Sequence, residues 1–352
     1  MTLAKRPNDE IFPMGLKLAK HEFNVVRVKG AGRRDSSVLS GSSIWSSDFN
    51  KADLAVVHGL AIDLIDQSSF MDLATIACHG EQLTSARLSP DARVILAATQ
   101  IGNIEIWAVS EIGWDCIHTI RSVHGGCAWA VEWIPDIGFA SVGGDGKLVV
   151  WQLFSDLTLG EKLVKCPLHS KSATCLAVIP NKLGALIVTG SNDATVMISE
   201  LLVNPSGGCS LNPKHRLVGH VENVLCVDCF ISNQSCLVVS GGGDNSIRLW
   251  DLSDVDPGRL DCPVPHVTFP YQSETLSVKF SPNGKFVVAA DTALIHILSS
   301  SLNGVQPEKL AQVNLRLPSG ISAVWWTSSG AFLHATLENG DLLEISVPSK
   351  YL

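Results

Sequence analysis

Across 352 residues the chain is 46% hydrophobic and 17% charged, and its 34 Asp and Glu outnumber its 26 Lys and Arg to leave a net charge of −8. That acidity argues against a general affinity for nucleic acid or an anionic membrane, each of which needs a basic footprint, and no apolar run is long enough to span a bilayer. A charged fraction below the usual ~25% fits either a large apolar core or an exterior partly covered by a partner.

Residues 1–20 read as an N-terminal extension. Lys5, Arg6 and Pro7 stand there without the apolar stretch of a signal peptide, so the chain is expected to work inside the cell, in the cytoplasm, the nucleus or both. Ile11 to Met14 is either part of a disordered tail or an arm that packs on a partner. Glu22 to Val28 reads as a strand with nothing beside it to pair with.

From there a unit repeats. Short apolar segments centred near Trp45, Ala86, Val131, Leu176, Val227, Val278 and Val324 follow one another at intervals of roughly 41 to 51 residues. Turn formers follow these segments at Ser89-Pro-Asp, Ile134-Pro-Asp, Ser281-Pro-Asn-Gly and Thr327-Ser-Ser-Gly. A second strand comes next as a nearly continuous apolar run, such as Ala185 to Gly190 or Cys236 to Gly241, which reads as buried on both faces. The third strand alternates, as in Ser246 to Trp250, and a more polar fourth strand is expected outermost.

Between the second and third strands a polar set recurs. His220, Ser240, Asp244 and Trp250 form one copy, His124, Ser141, Asp145 and Trp151 another, and Asp stands six residues before Trp in both. His169, Thr189 and Asp193 make a third copy in which Ser199 occupies the Trp slot. A weaker fourth has His79 and Trp107. The combination of His, Ser and Asp invites a reading as a catalytic triad, but a catalytic site occurs once per chain and this set occurs repeatedly.

The Gly219-His220 pair, the Gly241-Gly-Gly-Asp-Asn-Ser-Ile-Arg-Leu-Trp-Asp251 run and their upstream counterparts resemble the WD-repeat family over nearly the whole chain. The resemblance implies an all-β fold, a seven-bladed propeller of four-stranded antiparallel blades, with residues 21–352 as one domain. It implies that the recurring polar sets are structural hydrogen-bonded tetrads. The last unit lacks a fourth strand, so Glu22 to Val28 is expected to complete it and close the ring. Ile65, Leu298 or Ile297, and Ile345 stand in the Trp slot of units one, six and seven, where aliphatic packing is expected to replace the tetrad.

No Gly-rich phosphate loop, metal-ligand spacing or unique nucleophile stands in the chain, so neither a cofactor, a metal nor catalysis is expected. Cys226-Val-Asp-Cys229 lies on a strand, where residues three apart point to opposite faces, which excludes shared chelation. Function is therefore expected at binding surfaces, as a scaffold or adaptor for other proteins in a multi-subunit complex, without direct nucleic-acid or membrane contact.

Trp129 and Trp325 fall off the repeat pattern and are candidate partner contacts, since aromatic side chains dominate interface energetics. The connections Leu202 to Lys214 and Ser253 to Pro265 are rich in turn formers and expected to be long loops; Asp254, Asp256 and Asp261 give the second an acidic tint that suits a basic partner segment. In length, acidity and layout the chain also resembles the WD-repeat subunits of the methylosome, which present substrates to a protein arginine methyltransferase. The alternative left open is a reader of peptides or histone tails that uses the central channel.

Overall fold

The computed structural model describes residues 25–29, 53–58, 60–66, 72–78, 81–111, 113–204, 208–232, 236–252, 261–262, 267–271, 273–300, 309–313, 319–338 and 341–348. Every regular element among them is a β-strand, and the strands form seven sheets. Six sheets have at least four strands. The remaining one joins Asp53–His58, Ala61–Asp66 and Asp72–Ala77, and its expected inner strand around Trp45 lies outside the described residues.

Blade three shows the common plan. Ala128–Ile134, Gly138–Gly143, Lys147–Leu153 and Leu159–Pro167 pair antiparallel in sequence order, and we label such strands a to d. Its strand b is buried throughout, because strand b lies between neighbouring blades on both faces and each face needs apolar cover. Strand c departs from the alternation expected of it. Ile104 to Ala108 of blade two are all buried, since the third strand is still sandwiched between blades over its first half. Polar residues take over only at strand d, as in Gly113–Ile120, where exposure alternates.

Consecutive inner strands lie side by side. Leu83–Leu88, Ala128–Ile134, Ala173–Asn181, Val224–Ile231, Thr275–Phe280 and Ile321–Trp326 follow one another around an axis. Apolar clusters fill the seams between blades. Trp250, for example, joins Val227 and Val238 of its own blade to Val188, Val196 and Ile198 of the blade before it.

The ring closes as the sequence implies. Val25–Lys29 pairs antiparallel with Leu342–Ser346 and becomes the fourth strand of blade seven. Ile65 of blade one packs with Ala323, Trp325 and Leu342 of blade seven. Glu22 to Asn24 and the extension 1–20, with Ile11 to Met14, lie outside the described residues.

Blade four corrects one expectation. Thr195–Val203 and Cys209–Val218 form a long hairpin, so most of Leu202 to Lys214 is strand and only residues 204–208 connect. The Asn212-Pro213 pair that reads as a turn sits instead beside a bulge, where Ser199 faces Pro213 and Ile198 faces His215. Proline has no N–H to give a ladder, and a bulge on an outer strand is where a sheet tolerates it. Lys214, between them, reaches Glu200 at 2.9 Å.

Candidate partner-binding rim

Because each blade is antiparallel, its b-to-c turn and the loop joining strand d to the next strand a emerge on the same side of the ring. The recurring polar sets sit just beneath this rim. In blade five, Nε2 of His220 bonds Oγ of Ser240 at 2.8 Å, Nδ1 lies 3.0 Å from Asp244, and Nε1–H of Trp250 donates to Ser240 Oγ at 2.9 Å. All four side chains meet, and the Asp244 carboxylate also accepts from the backbone N–H of Val221 and Ser246. The set therefore ties a loop, a turn and two strands into one network.

The other two sets are less complete. His124 bonds Ser141 and Asp145, each at 2.9 Å, but Nε1 of Trp151 is buried without a partner. His169 bonds Thr189 at 2.8 Å and Asp193 at 3.3 Å, with Thr195 as an additional neighbour at 3.2 Å. Ser199, in the Trp slot of that blade, has a buried hydroxyl with no partner.

Electrostatics follow from burial. Burial lowers the pKa of His124 and His220 and outweighs the opposing pull of Asp145 and Asp244, so both imidazoles are neutral at pH 7. For Asp145, Asp193 and Asp244 burial acts upward, but hydrogen bonds from the His rings, hydroxyls and backbone N–H groups win and hold each below the usual carboxylate range. The bonding capacity of these sets is turned inward.

In blades one, six and seven, Ile65, Leu298 and Ile345 fill the Trp slot and are buried. Two polar pairs there escaped the sequence reading. His296 lies 2.9 Å from Asp291 in blade six, and His334 lies 3.2 Å from Glu344 in blade seven. Their spacing differs from that of the repeated set, so nothing in the pattern flags them.

A belt of charges runs along the inner strands. Arg87 meets Glu132 at 2.8 Å and Lys279 meets Asp228 at 2.9 Å, each pair bridging consecutive blades. Trp325 occupies the corresponding position of blade seven. It is 7% exposed, edge-on to His334 and packed with Ile65 of blade one, so it fills the closing seam and offers no surface to a partner.

Trp129 is different. Each of the six described inner strands carries a bulge at its second residue, and Trp129 is that residue in blade three. A bulged residue is turned out of the ladder. Thr84 and Thr174, in the same position, use their hydroxyls on the carbonyls of Ala128 and Val224 in the following blades. Trp129 has no such use and stands 41% exposed on the rim, with Ile101 of the neighbouring turn 52% exposed. Asp254 and Asp256 lie outside the described residues. Asp261 opens a two-residue strand, Asp261–Cys262, which pairs parallel with Arg216 and Leu217 and adds a fifth strand to blade four. Cys226 and Cys229 fall into clusters on opposite faces of their strand, and burial raises both thiols.

Residues 211–251, which span the complete polar set of blade five, match the family model described as WD domain, G-beta repeat. The chain is 30% identical over 131 residues to a ribosome biogenesis protein WDR12 homolog of Brugia malayi, a match covering 36% of this chain and 28% of that one. It is 22% identical over 307 residues to the protein groucho of Drosophila melanogaster, covering 78% of this chain and 37% of that one. The chain thus spans well under half the length of these relatives. Among solved structures, a chain of a mitotic checkpoint complex superposes with a TM-score of 0.72 at 18% identity, covering 99% of both chains. That likeness speaks to the fold alone.

Proposed function

Because the chain is a WD-repeat β-propeller, we propose that it is a non-catalytic scaffold or adaptor that holds other proteins in an assembly inside the cell, with the b-to-c and d-to-a rim as its docking face. The observation that carries this reading is the repetition of the His, Ser or Thr, and Asp set in three consecutive blades, each copy bonded internally. A nucleophile needs a free approach for substrate and a base able to take its proton. Here Ser141, Thr189 and Ser240 are wholly buried under the rim and leave a substrate no approach to their hydroxyls, and the role assigned to His124, Ser141, Asp145, Trp151, His169, Thr189, Asp193, His220, Ser240, Asp244 and Trp250 is architectural.

Purification of the tagged chain from its native cells, followed by mass spectrometry of co-eluting proteins, tests the scaffold reading. Stoichiometric partners are expected; recovery of a lone monomer at cellular concentration would overturn it. Within this class, the layout shared with methylosome WD-repeat subunits supports a substrate-presenting role beside a protein arginine methyltransferase, and the likeness to a ribosome biogenesis protein supports a nuclear assembly instead. The identity of the co-eluting chains separates the two. A channel reader is disfavoured because the inner-strand acids Glu132 and Asp228 are already neutralised by Arg87 and Lys279.

A further inference from the structure

On a chain whose net charge is −8, one sector of the rim is basic. Four segments from blades two to four meet there and are tied by backbone contacts. Ser122 donates to Asn103 at 2.9 Å, His124 to the carbonyl of Gly102 at 3.2 Å, Gly144 to that of Cys127 at 2.8 Å, and His169 to that of Gly146 at 3.1 Å. Lys165 crosses from its outer strand to the carbonyl of Val123 at 3.2 Å. Residues 101–103, 121–129, 144–147 and 165–171 therefore form one continuous surface.

That surface carries Arg121, Lys147, Lys165 and Lys171, and its one acidic residue is Asp145. Asp145 is consumed by His124 at 2.9 Å and Lys147 at 3.5 Å. Asp193, at the margin, is occupied by His169, Thr195 and Ser170. Arg121, Lys165 and Lys171 are exposed, and among them stand the bulged Trp129 and the turn residue Ile101, both exposed and apolar. Exposed cations around an exposed aromatic and an aliphatic side chain complement a partner segment that carries acidic groups beside an apolar anchor.

We propose that this sector binds a short acidic segment of a partner protein that carries an aromatic or long aliphatic anchor, the anchor resting on Trp129 and Ile101 and its carboxylates facing Arg121, Lys165 and Lys171. The proposal rests on the scaffold reading and names the partner's chemistry. A peptide is favoured over a nucleic acid because this sector offers only four cations on a chain of net charge −8, a short track for a phosphate backbone.

The test uses the full chain and an array of fluorescein-labelled twelve-residue peptides of Asp, Glu, Ser and Gly around one central Trp, Phe, Leu or Ala. Counterparts with Lys for each acid and a twelve-nucleotide single-stranded DNA complete the set. Acidic peptides with a Trp, Phe or Leu anchor are expected to bind, to weaken as salt rises, and to lose about tenfold or more in affinity to W129A and to the charge reversal R121E/K171E. Both substitutions lie on exposed residues, and unchanged melting temperatures verify that the variants fold. Binding that ignores both variants, equal binding of the Lys peptides, preference for the DNA, or no binding by any acidic peptide would overturn the proposal. Copurification from cells keeps this failure apart from that of the scaffold reading. If the wild type and both variants recover the same partners in the same amounts, the sector is not the dock although the chain is a scaffold; if the wild type comes alone, the scaffold reading itself falls.

Discussion

Trp151 and Trp250 occupy the same slot two blades apart and differ in one atom's surroundings. Nε1–H of Trp250 donates to Ser240 Oγ at 2.9 Å, whereas the same atom of Trp151 is buried without a partner. A buried hydrogen bond contributes about 1 kcal/mol net, and an unmade one leaves a desolvation cost of similar size. Trp250 is fully buried whereas Trp151 is half-buried, so replacement of the Trp250 indole by Phe removes both the bond and the better-packed ring. W250F is expected to destabilise the protein by about 1 to 2 kcal/mol more than W151F in chemical denaturation; equal losses would mean that the indole bond contributes nothing.

The buried histidines give a pH dependence with a definite sign. Burial holds His124 and His220 below their ordinary value of 6.5, so on acidification the unfolded chain takes up protons that the folded chain refuses, and stability begins to fall below that pH. Asp145, Asp244 and Asp291 are held below 3.8, so the stability they supply is present above that value and disappears as pH drops through their lower folded values. Both effects point the same way. Melting temperature is expected to decline from pH 6.5 downward and more steeply under pH 4, and a flat profile from pH 7 to pH 5 would contradict the neutral-histidine assignment.

Among the elements, the turns are where backbone geometry can be tested against sequence. Gly284 closes the a-to-b turn of blade six with φ of +68°, and a Cβ placed there would stand 2.2 Å from the ring of Phe230 in blade five. G284A meets both a left-handed backbone and an aromatic ring that packs on Phe280, and it is expected to cost about 2 kcal/mol or more. Ala194 presents the opposite case. It follows Asp193 in the b-to-c turn of blade four with φ of +66°, a conformation that penalises an L side chain. A194G is expected to raise stability by up to about 1 kcal/mol, the relief exceeding the extra freedom of the unfolded glycine. Thermal denaturation of the two variants reads both signs.

Element boundaries were legible in the sequence wherever the repeat was regular. The apolar runs Ala185 to Gly190 and Cys236 to Gly241 fall within one residue of the strands Gly184–Ser191 and Cys236–Gly242, because blade-to-blade burial demands an uninterrupted run and the turn formers end it. The hairpin at 195–218 was misread because Asn-Pro usually marks a turn, and only the pairing shows that Pro213 sits at a bulge. The His, Ser or Thr, and Asp residues that bond one another in blades three to five were legible because their spacing recurs, whereas of the two Trp residues expected in these sets only Trp250 joins its network. The rim was legible in part: Trp129 stood out as off-pattern, whereas Trp325 stood out equally and proved buried. The difference lies in position, a bulge for one and a seam for the other, and one-dimensional spacing carries neither. The basic sector was missed because its four cations come from three separate segments, each unremarkable alone.

For the whole molecule, the pairing of Val25–Lys29 with Leu342–Ser346 supplies the last strand of the last blade. Removing residues 1–29 is expected to expose the outer edge of Leu342–Ser346, to lower the melting temperature by at least about 5 °C and to produce higher-mass species in size-exclusion chromatography. Removing residues 1–20 alone leaves that strand intact and is expected to do neither. If the longer truncation melts and elutes like the full chain, closure contributes nothing to stability.

The same pairing has a kinetic side. Val25 faces Ile345, a separation of 320 positions (345 − 25) along the chain. Contacts so remote in sequence are slow to form, because the entropy of bringing them together is lost before any contact repays it. During synthesis the opening strand is made first and must wait for almost every other element before its mate leaves the ribosome. Such a polypeptide spends its youth with an unsatisfied ladder at each end.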